Sequence, residues 1–188
     1  MRLAAPRIAP LDPGALDAEA AEVLAPFSER GPVLNIFATM ARAPRALKGF
    51  LAWGGYVLSK RNSLSERNRE LAILRTGFVC KAGYEWTQHV PIGLRGGLRA
   101  EEIERIKAGP GDPVWGPLDR AILTACDELV SDHFVTDATW AALAELGDKG
   151  RMDLVFTVGQ YTQVSMMLNS FGVQLEPGLA LDPALDHR

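Results

Sequence analysis

Cysteine and histidine are scarce in this chain of 188 residues, with two of the first and three of the second. Two cysteines far apart, Cys80 and Cys126, make neither a disulfide framework nor a zinc pattern, and neither has a second cysteine three positions away. Glu70, Glu85 and His89 would make a two-carboxylate, one-histidine set, whereas iron sites more often use two histidines and one carboxylate, so no metal is expected. No stretch of eighteen apolar residues exists, which excludes a membrane-spanning helix. The start, "MRLAAPRIAPLDPGALDAEA", is interrupted by prolines and lacks a continuous apolar core with a cleavage site. The cytoplasm, where thiols stay reduced, is therefore the expected compartment. No long basic block appears and the formal net charge is −3, so nucleic acid is not an expected partner. No alternating strand pattern and no solenoid-sized repeat is found either.

What is present is apolar helical periodicity in a chain that is 47% hydrophobic, enough to bury one core. Residues 1–188 read as a single all-α domain of about eight helices. Pro6, Pro10, Pro13 and Gly14 mark an extended arm suited to wrapping a neighbour. Ser65 is a plausible N-cap, followed by an apolar stripe at Leu71, Leu74, Phe78 and Val79. "YEWTQHVPIGLRGG" predicts a further helix, with Pro91 a kink and Gly96 and Gly97 the stop. The helices near 65–79 and 84–96 should pack together, since only a short link joins their apolar stripes. "PLDRAILTACDELV" opens with Pro117 near the first helical position. The helix over 152–171 is apolar nearly all round, as a central or interface helix would be.

The candidate chemistry lies in "CKAGYEWTQHV", residues 80–90. Glu85 and His89 are four apart and share one helical face. A carboxylate accepting from one imidazole nitrogen holds the ring's tautomer and raises its basicity, which is the wiring of a general acid or base. The same spacing also suits a surface pair beside two core aromatics, Tyr84 and Trp86. Glu70, just after Arg67 and Arg69 in the sequence, reads equally well as part of a solvated helix start. Cys126 reads as a small core residue, and Cys80, beside the candidate site, stays open as a redox thiol. His133 suits a helix C-terminus, where its charge is favourable.

The run "RNRELAILRTGFVCKAGYEWTQHVPIGLRGGLRAEEIERI" resembles the carboxymuconolactone decarboxylase family, within the superfamily that includes alkylhydroperoxidase D. The resemblance is strongest over about residues 65–107, and it implies an all-α, alkylhydroperoxidase D-like domain that assembles as a trimer or hexamer. The thiol peroxidase branch carries a glutamate, two cysteines three apart, and a histidine four beyond the second cysteine. With His89 on that histidine, Glu70 falls on the glutamate, while Ala82 and Glu85 replace the two cysteines. Cys80 stands two residues too early to be the first. The resemblance thus implies a cofactor-free acid–base lyase acting on a small cyclic, lactone-type carboxylic acid, with Glu70, Glu85 and His89 catalytic. Tyr84 and Trp86 are then expected to shape the pocket, and Arg75 to hold a substrate carboxylate. The alternatives are a thiol-based antioxidant protein using Cys80 and a non-catalytic assembly protein of the same fold.

Overall fold

Ser65 accepts a hydrogen bond from the Asn68 amide and so starts the helix around which the others are arranged. The computed structural model describes residues 1–29 and 31–187. Within them the α-helices are α1 (Ala18–Ser28), α2 (Asn35–Met40), α3 (Pro44–Val57), α4 (Glu66–Val79) and α5 (Gly83–Arg95). Then follow α6 (Ala100–Ala108), α7 (Pro117–Ser131), α8 (Asp137–Ala142) and α9 (Gly147–Phe171), and no strand occurs among the described residues. No helix among them is long and apolar enough to cross a membrane.

Residues 69–77 of α4 are all buried, because α5, α6, α7 and α9 cover the helix from every side. The main core cluster joins Leu71 and Leu74 of α4 to Ile122 and Leu123 of α7 and Leu154 of α9. A helix buried all round cannot leave its charged residues unpaired. Arg75 is accordingly held in a two-toothed ion pair with Asp127 of α7, Nε–Oδ1 at 2.6 Å and Nη2–Oδ2 at 2.7 Å. Its third nitrogen donates to the Ile106 carbonyl at 2.8 Å. Packing of α4 on α5 agrees with the expectation from their stripes. Pro91 does not break α5, which runs without interruption to Arg95.

α9 is 25 residues long and is less uniformly apolar in its contacts than its sequence suggests. Its buried face includes Asp153, Thr157, Gln160 and Ser165. Asp153 is fully buried and accepts from the Tyr56 hydroxyl (2.6 Å), the Ser63 amide (2.7 Å) and Lys149 Nζ (2.5 Å), tying α9 to α3 and to the segment before α4. These charge-assisted bonds hold the carboxyl down at about 2 against the desolvation that opposes them.

The proline-bearing ends fold back on their own domain. The Arg7 and Ile8 amides donate to the Phe171 carbonyl and the Leu11 amide to that of Ala38. The Met1 amino group donates to the Leu185 carbonyl, and His187 N to the Met1 carbonyl. Lys107 holds Asp182 at 2.5 Å. Extended backbone has no internal partners, and here the chain's own carbonyls supply them. Gly83, the first residue of α5, lies beneath this crossing. A Cβ there would stand 2.4 Å from Leu181 Cδ1 and 3.1 Å from the Met1 nitrogen, so a side chain would have to displace the leucine and crowd the chain's first residue.

Candidate active site

α4 and α5 bring together the three residues expected at the site. Glu70 is completely buried, Glu85 is 5% exposed and His89 is 7% exposed. Glu70 Oε2 lies 2.6 Å from His89 Nδ1, and Glu85 Oε1 lies 3.0 Å from His89 Nε2. The imidazole is therefore clamped between two carboxylates, one from the preceding helix and one from the turn below it. Arg69 Nε stands 3.8 Å from Glu70 Oε1, placing a cation behind the inner carboxylate.

Burial disfavours the charged imidazole, but the two carboxylates outweigh it and raise His89 to about 9. At neutral pH the ring is then an imidazolium whose two N–H groups donate to Glu70 and Glu85. The hydroxyl of Tyr161, on α9, is 3.2 Å from Nε2, and the two rings meet edge to face at 5.0 Å. Burial first, then the charges of Glu85 and Glu70, push the Tyr161 phenol well above its ordinary value, so it stays neutral.

Beside this cluster opens a cavity of about 240 Å³. Glu85, His89, Tyr161 and Gln160 line it together with apolar side chains of α2, α3 and α9, among them Ile36, Phe37, Phe50 and Val164. Glu70 is not part of the lining; it acts on the cavity only through His89. Tyr84 lies on the wall as expected, with its hydroxyl donating to Glu176 at 2.6 Å. Glu176 also accepts from Gln88 at 2.5 Å and from the Asn35 amide at 2.8 Å, so the segment after α9 is pinned to α5 and α2 at the cavity's edge.

Three sequence-based assignments are corrected. Arg75 does not face the cavity: its guanidinium is committed to Asp127 and to the carbonyls of Ile106 and Lys107. Trp86 does not wall the cavity either. It belongs to the main core, 5.6 Å from the Phe78 ring, with Lys107 Nζ over its face at 5.4 Å. The physical reason is the 100° step of a helix, which turns Trp86 away from Glu85. Cys80 caps the end of α4, half-buried and outside the cavity lining. Burial raises its thiol pKa, more than hydrogen bonding from Ser165 and Thr162 lowers it. Cys126 is a fully buried core residue whose thiol is pushed up to about 12. His133 lies just past α7, where Nδ1 meets the Leu129 carbonyl.

Sequence reasoning missed Tyr161, Gln160 and Arg69. The first two had a signal: "VGQYTQV" sets polar side chains inside an otherwise apolar helix. Among the described residues, no group of three or more His, Cys, Asp or Glu side chains has the geometry to hold a metal ion.

Residues 44–128, which contain all of α4 and α5, match the carboxymuconolactone decarboxylase family. Solved structures share the helical fold. One is an uncharacterised peroxidase-related protein of Ralstonia eutropha JMP134, described as an alkylhydroperoxidase AhpD core, at 21% identity and a TM-score of 0.76 over 90% of this chain and 93% of that one. Another is an uncharacterised peroxidase-related protein of Silicibacter sp. TM1040, at 17% identity and a TM-score of 0.72 over 93% and 91%. A third is the debrominase Bmp8, a cysteine-to-alanine variant in complex with 2,3,4-tribromopyrrole, at 14% identity and a TM-score of 0.70 over 90% and 91%. At these identities the likeness is one of fold. No curated protein is significantly similar in sequence. The fold is all-α and alkylhydroperoxidase D-like. Over residues 44–128 the chain is similar to the carboxymuconolactone decarboxylase family.

Proposed function

We propose that the protein is a cofactor-free enzyme that transfers protons on a small ring compound bound in the 240 Å³ cavity. The observation that carries this reading is the imidazole of His89 clamped between Glu70 and Glu85 at the cavity wall. Glu85, facing the cavity, takes a proton from the substrate. His89, charged at neutral pH, delivers one to the enolate or carbanion that forms. The 3.0 Å contact between them then returns the proton from Glu85 to His89 and closes the cycle. Glu70 is a positioning residue: it holds the ring through Nδ1 and keeps it protonated. Tyr161 offers a neutral hydroxyl to developing negative charge.

Decarboxylation of a lactone-type acid is the narrower form of this chemistry that the family name suggests. Carbon dioxide leaves, its bonding electrons remain on the ring as an enolate, His89 protonates that carbon, and a proton from solvent restores His89. In the same reading the protein works in the cytoplasm as a homo-oligomer, a trimer or a hexamer.

Burial of Glu70, Glu85 and His89 against a shared cavity favours catalysis over a purely structural role. The thiol-based reading would need a reactive Cys80, whose raised pKa and place outside the cavity speak against it. The test is a panel of γ-lactone carboxylic acids and uncharged lactones, followed for carbon dioxide release and for deuterium uptake from solvent. His89→Ala is expected to lower the rate by ~10²–10⁴-fold, with thermal unfolding changed far less. A fully active His89→Ala enzyme would sink the mechanism.

A further inference from the structure

The charges around the cavity cancel. Arg69 and the imidazolium of His89 balance Glu70 and Glu85, and neither lysine nor arginine is among the described residues of the lining. A carboxylate entering this apolar space would meet an acidic group and no unclaimed cation, which is a costly placement. Glu85, by contrast, spends one oxygen on His89 and has a second to offer a donor.

Gln160 adds an independent observation. It is 5% exposed, and Oε1 is buried without a hydrogen-bond partner. Every other polar side chain on the described lining has one: Tyr84 and Gln88 hold Glu176, while Tyr161 and Glu85 hold His89. The absence of a side chain at Gly54 helps keep the carboxamide uncovered, since a Cβ there would rest 3.5 Å from Gln160 Nε2. Native proteins seldom leave a buried amide unsatisfied, and a wall amide without a protein partner is suited to a ligand.

We infer that the cavity selects an uncharged single-ring compound bearing an O–H or N–H group, which donates to the unpartnered Gln160 Oε1 in the wall that Gln160 shares with Glu85. A phenol-type hydroxyl suffices, donating its one hydrogen to the Gln160 carbonyl oxygen. Gln160 is thereby a specificity-determining residue. The volume of about 240 Å³ limits the ligand to one ring with small substituents. The inference rests on the cavity being the substrate site, and it narrows the substrate away from the lactone acid.

Three matched probes test it by calorimetric titration at neutral pH: p-cresol, which carries the donor; 4-methylanisole, which lacks it; and 4-methylbenzoate, which is ionised. p-Cresol is expected to bind at least ~10-fold more tightly than either of the others, the ratio a single buried hydrogen bond supplies. In Gln160→Leu the preference for p-cresol over 4-methylanisole should fall several-fold while 4-methylanisole binding persists. Gln160→Met serves the same purpose should the leucine variant fail to fold, as thermal unfolding would reveal. The inference is overturned if 4-methylbenzoate matches or exceeds p-cresol, if the preference survives both substitutions, or if none of the three binds. Because titration needs no turnover, the two readings fail separately. A Gln160-dependent p-cresol preference without His89-dependent chemistry removes the reaction and keeps the ligand class. His89-dependent turnover with 4-methylbenzoate bound best does the reverse.

Discussion

Glu70 and His89 stand 19 positions apart on different helices, yet Oε2 of one lies 2.6 Å from Nδ1 of the other. That contact makes the protonation of His89 a property of the helix pair rather than of α5 alone. Glu70→Gln removes a charge that favours the imidazolium, so the pKa of His89 falls from about 9. The limb of the pH–rate profile that requires protonated His89 should therefore move to lower pH. The rate loss at neutral pH should be smaller than the ~10²–10⁴-fold expected for losing His89 itself. An unmoved limb would show that Glu70 does not tune the ring.

Stability should carry the same signature. The folded pKa of His89 is raised, from 6.5 to about 9. A raised group contributes stability that is fully present below its unfolded value and is lost as pH rises through its folded value. The stability difference between the wild type and His89→Gln should thus shrink as pH climbs from 6.5 to about 9. Denaturant unfolding across that window checks it, and a difference that grows with pH would contradict the assignment.

Arg75→Met should behave as a stability variant. It strands the carboxylate of Asp127 and the Ile106 carbonyl, at a cost of about 2–3 kcal/mol. KM of the folded variant should be unchanged for any substrate found. A raised KM with intact stability would return Arg75 to the substrate.

Cys80→Ser should leave most activity in place. Its thiol, raised by burial, should also react slowly with alkylating reagents at neutral pH. Peroxidase turnover that depends on Cys80 would reverse the functional reading.

Assembly has its own test. Met152, Phe156 and Met166 recur at helical spacing on the outer side of α9, and Trp53 of α3 meets Phe156 at 5.2 Å. Met152, Met166 and Trp53 are 52%, 60% and 41% exposed. We expect this stripe to be covered by a second copy of the chain. Met166→Glu should then shift the solution mass toward that of a single chain at micromolar concentration. A wild type already monomeric there would refute the assembly.

The sequence by itself determined the helices and part of the site. Ser65 and Thr136 announce helix starts because their hydroxyls match the free amides of a first turn, and both accept from the third residue on. The spacing of Glu85 and His89 placed them on one face, and the lack of a cysteine pair argued against dithiol chemistry, both readable along one stretch of chain. Glu70 was assigned through the family pattern; its own neighbourhood, preceded by Arg67 and Arg69, looked like a solvated surface.

Tertiary structure decided the rest. α4 is buried on all sides, so its residues show no single apolar face from which to tell Arg75, turned toward α7, from Glu70, turned toward α5. Trp86 and Tyr84 are near neighbours in sequence, yet one packs in the core and the other walls the cavity, according to which helix lies opposite. Tyr161 reaches His89 across 72 positions, and Gln160 joins the same wall. Helical periodicity tells which side chains share a face. Which partner covers that face depends on the packing of distant helices, and the chemistry of this cavity arises there.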